Sequence, residues 1–203
     1  MSIQTVGIVG AGTMGNGIAQ ACAVSGINVV MVDINQAAVD KGIATVGKSL
    51  DRLLQKEKIT EADRDAALGR IKGSTSYDDL KKAQLVIEAA TENHELKNKI
   101  LKQLDELLDP EVIIATNTSS ISITQLAAVT KRPEKFVGMH FFNPVPMMAL
   151  VEIIRGLQTS DATHDAVKAL AEALGKSPIT VKNAPGFVVN RILVPMINEA
   201  FFV

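Results

Sequence analysis

A glycine-rich turn, Gly10-Ala11-Gly12-Thr13-Met14-Gly15, constrains this chain more than any other feature. It follows an apolar run at 3–9 and opens a helical segment from about Met14 to Val24, which Ser25-Gly26 closes. The spacing is G-x-G-x-x-G, which carries information only between a strand and a helix, as here. The first glycine permits the tight turn, the second lets backbone approach a pyrophosphate, and the third allows close helix–strand packing. A second apolar run, 27–32, ends at Asp33. Strand, helix and strand within about 30 residues make one βαβ unit, so the sheet is expected to be parallel with right-handed crossovers.

Asp33 sharpens the reading, because it stands 21 residues beyond Gly12 at the end of the second strand. A carboxylate there accepts from the ribose hydroxyls of an adenosine and repels a 2′-phosphate, which favours NAD over NADP. Its plain structural role would be a helix N-cap. Glycine turn and acid together point to a dinucleotide site, with the anion at the positive end of the first helix.

The pattern continues as α/β. Strands are expected near 71–75, 84–88, 112–115, 136–142, 149–154 and 178–182. Helices are expected at 36–58, from Thr60, at 93–108, 123–129 and 162–174, and from about Pro185. Helix 93–108 has apolar residues at 96, 100, 104, 107 and 108, a one-face pattern. Residues 186–203 are apolar nearly all round, which normally means burial on several sides. That helix is expected to pack on a further domain or another subunit.

Composition removes several classes. Lys+Arg 21 against Asp+Glu 22 leaves no basic field for nucleic acid or anionic lipid. The 3% aromatic content, with no Trp, argues against stacking platforms for single strands. No run of 18 or more apolar residues reads as a membrane span, and the N-terminus lacks a basic signal region. One cysteine, Cys22, excludes an intrachain disulfide and a Cys-based zinc site, and fits a reducing, cytoplasmic setting.

Two residues stand out as chemistry in apolar strands. His140 lies between Met139 and Phe141, and Glu152 is a lone acid in Leu150-Val151-Glu152-Ile153-Ile154. An unpaired carboxylate is costly to bury. Two strands joined by the short Pro-rich turn Asn143-Pro144-Val145-Pro146 could set Glu152 beside His140, orienting one ring nitrogen so that the other serves as a general base. A structural ion pair is the plainer alternative. His94 and His164 lie in polar helical segments and are expected at the surface. Asn117-Thr118-Ser119-Ser120 follows a strand at its carboxyl end, where ligands of open α/β sheets bind. Ser122 serves as the helix cap there, which frees Ser119 to meet a substrate oxygen. Asn190 is a polar group in the last, apolar helix. Residue by residue, the reading reaches an NAD-dependent dehydrogenase with a His–Glu base.

Six ordered motifs extend it. G-A-G-T-M-G at 10–15, I-E-A-A-T-E-N at 87–93, N-T-S-S at 117–120, H-F-F-N-P-V-P at 140–146, L-V-E at 150–152 and P-G-F-V-V-N-R at 185–191 together resemble the 3-hydroxyacyl-CoA dehydrogenase family, its bacterial 3-hydroxybutyryl-CoA branch above all. The resemblance spans the chain. It implies an NAD-binding Rossmann-type domain over 1–183, a mostly parallel sheet flanked by helices. From 184 it implies the first helix of an all-α domain that supplies most of a homodimer contact, so that the chain would be a piece of a longer protein. It implies reversible NAD-linked oxidation of a short-chain (3S)-3-hydroxyacyl-CoA to the 3-ketoacyl-CoA. By matched position, His140 takes the C3 hydroxyl proton, Glu152 holds His140, Ser119 contacts the substrate oxygen and the nicotinamide side, and Asn190 polarises the C3 oxygen. Asp33, Glu92, Lys97, Asn117 and Asn143 join the glycine turn on the cofactor, and Ser49 and Lys56 face coenzyme A. Two departures are visible: Thr116 where many members have Ser, and Ala149 where many have Lys before L-V-E.

Two other functions are compatible with the Rossmann half. A β-hydroxyacid or sugar-nucleotide dehydrogenase commonly uses a lysine base, and the presence of both His140 and Glu152 argues against it. A non-catalytic NAD-binding scaffold would be marked by loss of the His, Glu or Asn, and none is lost.

Overall fold

The computed structural model describes residues 3–203. Eight strands form one sheet: β1 (Thr5–Val9), β2 (Asn28–Val32), β3 (Ile71–Ser74), β4 (Leu85–Glu88), β5 (Ile113–Thr116), β6 (Phe136–Phe141), β7 (Leu150–Arg155) and β8 (Ser177–Lys182). The helices are α1 (Thr13–Val24), α2 (Gln36–Gln55), α3 (Glu61–Gly69), α4 (His94–Leu107), α5 (Ile123–Ala127), α6 (Asp161–Ala173) and α7 (Val189–Ala200). Sheet order is β3-β2-β1-β4-β5-β6-β7-β8. Pairing is parallel from β3 to β6; β7 runs antiparallel to β6, and β8 runs parallel to β7.

The strands are apolar on both sides because helices cover both faces. Along β2, Val29 and Met31 enter one core with α1, α2 and α6 residues, while Val30 and Val32 enter the other with α4 and α5. This two-residue alternation is that of side chains on a pleated strand. Helix starts follow the capping chemistry in the sequence. Asn35 accepts from the Ala38 amide, Asn93 from Leu96 and Ser122 from Gln125, and Thr60 with Asp63 closes a reciprocal capping box.

Chain direction reverses its lateral progress between β1 and β4: β2 and β3 lie on one side of β1, and β4 begins the other. The crevice at the carboxyl ends of such neighbours is where open α/β sheets take ligands. The glycine turn, Asp33, Ala89 and Asn117 all leave strands at that edge.

One boundary differs from expectation. The last helix begins at Val189 rather than near Pro185, because Gly186 (φ 74°) and Phe187 (φ 51°) take left-handed backbone and make a turn first. Phe187 is buried by that turn. No residue of α7 is buried; Ile192, Val194 and Met196 are exposed. Among the described residues no helix is long and apolar enough to cross a membrane.

Candidate active site

The glycine turn is locked from both sides. The Gly10 amide donates to the Val32 carbonyl at 2.7 Å, and Gly10 has φ +104° with β4–α4 backbone so near that a Cβ would lie 2.7 Å from the Ala89 carbonyl oxygen. At Gly15 a Cβ would lie 1.8 Å from the Gly10 carbonyl oxygen, so α1 comes as near to the strand as a glycine permits. Above Gly12 a Cβ would meet nothing within 4 Å, which leaves an open cradle of backbone at the start of α1. Asp33 accepts from the Ala11 and Ile34 amides, each at 2.7 Å, and so tethers β2 to the turn. Beside it a cavity of about 560 Å³ is lined by Gly10, Asp33, Ile34, Tyr77, Leu96 and Gln103, among others. An apolar slot, an acid at its mouth and an open N-terminal turn fit the adenosine and pyrophosphate of a dinucleotide. Burial, with the charges of Glu88 and Asp33, raises the Tyr77 phenol above its ordinary value, so it stays neutral.

A second cavity, of about 480 Å³, continues from Gly12, Thr13 and Met14 to His140. Glu92, Lys97, Asn117, Ser119 and Asn143 also line it. His140 and Glu152 are direct cross-strand partners of β6 and β7. The His140 Nδ1 lies 2.7 Å from Glu152 Oε2, with the carboxylate fully buried. The other Glu152 oxygen accepts from the Val188 and Val189 amides, each at 2.9 Å, so one carboxylate holds the imidazole and the start of α7 together. The rings of Phe142 and Phe187 lie 4.4 and 5.9 Å from the imidazole. Among the described residues Nε2 makes no hydrogen bond. A neutral imidazole whose Nδ1–H is so held presents Nε2 as an acceptor.

Ser119 faces this cavity from the turn after β5. Its amide donates to Glu92 Oε1 at 2.7 Å and its hydroxyl to the same oxygen at 3.1 Å. The Asn190 side-chain amide reaches the Ser119 carbonyl at 3.3 Å, which brings α7 to the same point. Asn117 lines the cavity, but its side-chain oxygen accepts from the Phe141 amide at 2.9 Å, tying β5 to β6.

Ser49 and Lys56 sit elsewhere, in a groove of about 460 Å³ between α1, α2 and the 143–147 loop. Lys48 and Arg52 line it too. Lys176 pins the loop, donating to the Val145 carbonyl at 2.6 Å and the Met148 carbonyl at 2.9 Å. Burial holds that ammonium below the ordinary lysine value. Thr13 and Asn143 line both this groove and the His140 cavity.

The glycine turn, Asp33, Asn117, Ser119, His140 and Asn143 thus gather at the carboxyl edge of the sheet, Ser49 and Lys56 line a separate groove, and two residues differ from expectation in burial. His164 is buried, not superficial: Nε2 lies 2.8 Å from the Thr180 hydroxyl and Nδ1 2.8 Å from Asp165, a polar link between α6 and β8. The Lys97 ammonium is also buried, 2.5 Å from Glu88 Oε2. Glu88 escapes the sequence reading although its signal, a lone acid closing Leu85-Val86-Ile87, is the one that draws attention to Glu152. Lys176 gives no such signal, because its loop partners are backbone carbonyls.

Residues 5–184 match the family model of the 3-hydroxyacyl-CoA dehydrogenase NAD binding domain. The chain is 50% identical over 200 residues to a 3-hydroxybutyryl-CoA dehydrogenase of Bradyrhizobium diazoefficiens, covering 98% of this chain and 68% of that protein. It is 47% identical over 193 residues to a fatty acid oxidation complex subunit alpha of Idiomarina loihiensis, covering 95% of this chain and 27% of that protein. The crystal structure of (S)-3-hydroxybutyryl-CoA dehydrogenase from Ralstonia eutropha superposes with a TM-score of 0.98 at 76% identity, covering 98% of this chain and 71% of that one.

Proposed function

We infer the chemistry of this chain from the family to which it belongs, the 3-hydroxyacyl-CoA dehydrogenases. It is an NAD-dependent oxidoreductase that interconverts a 3-hydroxyacyl-CoA and the 3-ketoacyl-CoA. The observation that carries the residue assignment is the pairing of His140 with Glu152 in one cavity with the glycine turn.

NAD, when bound, supplies the hydride acceptor. Gly10, Gly12, Thr13, Met14 and Gly15 would cradle its pyrophosphate, and Asp33 its ribose. His140 Nε2 takes the proton of the C3 hydroxyl as the C3 hydride departs, leaving a C3 carbonyl. Glu152 fixes the ring so that Nε2 faces that proton and complements the imidazolium that forms. Ser119 donates to the developing carbonyl oxygen, and Asn190, through the Ser119 carbonyl, holds that hydroxyl's loop against α7. Glu92, Asn117 and Asn143 shape the nicotinamide end of the cavity. The groove of Ser49 and Lys56 takes the phosphates of coenzyme A; Lys48 and Arg52 add charge of the right sign. A short acyl chain of 3S configuration, as in 3-hydroxybutyryl-CoA, is the substrate this reading favours. Residues 184–203 then open a helical region whose apolar face serves a homodimer contact, in a cytoplasmic setting.

The test is NADH oxidation with acetoacetyl-CoA. His140→Ala should lower kcat by about 10³-fold or more while the NADH dissociation constant stays within about twofold of wild type. Turnover retained in that variant would remove His140 as the base.

A further inference from the structure

Against the His140 cavity lies a charge cluster whose buried acid, Glu88, the chemistry above leaves unused. Glu88, at the end of β4, is fully buried, and three donors satisfy it. Oε2 accepts from the Lys97 ammonium of α4 at 2.5 Å and from the Thr116 hydroxyl of β5 at 2.8 Å; Oε1 accepts from the Ala90 amide at 3.0 Å. Lys97 has a second carboxylate within reach, Glu92 Oε2 at 3.8 Å. Glu92 differs in kind: it lines the cavity, and its side chain is half exposed. It accepts from the Thr118 hydroxyl at 2.8 Å and from the Ser119 amide at 2.7 Å.

One ammonium is thus shared unequally between two acids. The buried acid takes it, because an unpaired carboxylate costs most where water is absent. The half-exposed acid keeps its lone pairs for the 118–119 turn. We propose that Glu88 is a positioning residue for Ser119: by holding the Lys97 ammonium on itself, it leaves Glu92 free to fix the turn that carries the Ser119 hydroxyl. The importance of Ser119 to the reaction rests on the function proposed above; the placement of its turn does not.

Without the Glu88 charge, the buried ammonium has one carboxylate left in reach. It moves onto Glu92 and draws that side chain away from the Ser119 amide. If the ammonium is removed as well, nothing pulls Glu92, and the turn returns to its place. A purely structural ion pair would instead lower stability alone and spread any faster exchange over the sheet, without singling out the Ser119 amide.

Four proteins make the test: wild type, Glu88→Gln, Lys97→Met and the double variant. The primary readout needs no cofactor. Amide hydrogen exchange at Ser119 in the free protein should quicken about tenfold in Glu88→Gln and return to within about twofold of wild type in the double variant. Catalysis is the second readout, on the single variant alone: kcat at saturating NAD should fall about tenfold in Glu88→Gln. The double variant keeps a neutral matched pair, which buried sites tolerate better than a lone charge. Unchanged Ser119 exchange in folded Glu88→Gln, or losses that merely add in the double variant, overturn the proposal. Should Glu88→Gln not fold, Glu88→Asp withdraws the carboxylate by one methylene, and Ser119 exchange unchanged from wild type there overturns it equally. If the wild-type chain turns over no acyl-CoA, the function assigned to the cavity fails while the exchange comparison still decides the role of Glu88.

Discussion

Gly12 and Gly15 stand three residues apart in one motif and do different work. A methyl group on Gly12 has room and a φ of −65°, so Gly12→Ala should leave the thermal midpoint within about 2 °C of wild type. It fills the cradle, however, and NADH affinity should drop about tenfold or more. The Gly15 methyl would overlap the Gly10 carbonyl, so Gly15→Ala should destabilise the fold by about 3 kcal/mol or more. Calorimetry and NADH titration on the two variants separate the effects; equal midpoints would contradict this division. At this scale the sequence was legible wherever a residue broke its local pattern. His140 and Glu152 are polar in apolar strands, and both meet at the site. Glu88 breaks its strand in the same manner, yet an acid at a strand end also reads as a turn residue. His164 misleads for the converse reason: its helix has polar neighbours, while its ring faces Thr180 on β8, 16 residues away.

At the scale of the element, the β6–β7 hairpin is what makes the site local. Its register sets His140 opposite Glu152 within 12 residues of chain, whereas the parallel strands need a crossover helix to meet. The Pro-rich turn announces this reversal in the sequence. The late start of α7 was not announced, because Phe187 takes a left-handed conformation that its residue type disfavours and that only the packed surroundings enforce. Helix α4 shows a cost hidden from sequence in another way. Its carboxyl end is closed by Arg132, whose guanidinium donates to the Asp105 carboxylate at 2.8 Å and to the carbonyls of Asp105, Leu108 and Asp109. Arg132→Met leaves a buried carboxylate and bare helix carbonyls, so stability should fall by about 3–5 kcal/mol. NADH affinity measured well below the new midpoint should not change, since Arg132 lines none of the three cavities. A loss under about 1 kcal/mol in urea titrations would show that water replaces the guanidinium.

For the whole molecule, Cys22 offers a single internal probe. Its thiol is fully buried on α1 within the core that joins α1, α2 and α6 to the sheet, and burial pushes its pKa up to about 12. Alkylation at pH 8 should therefore wait for the fold to open, and saturating NADH should slow it by the factor that binding stabilises the closed state. Rapid labelling of the native chain would place α1 in a loose, separately opening unit. The fold class itself was legible because βα alternation, glycine turn and strand-end acid agree with one another.

Thr13 and Asn143 each face two cavities, one on either side of the start of α1. A partition leaned on from both rooms cannot serve either tenant alone. If the dinucleotide in one cavity shifts that wall toward a shape the acyl-CoA prefers, thermodynamic reciprocity requires the acyl-CoA to tighten the dinucleotide by the same factor. One threonine and one asparagine would then let each ligand tighten the other, whichever arrives first.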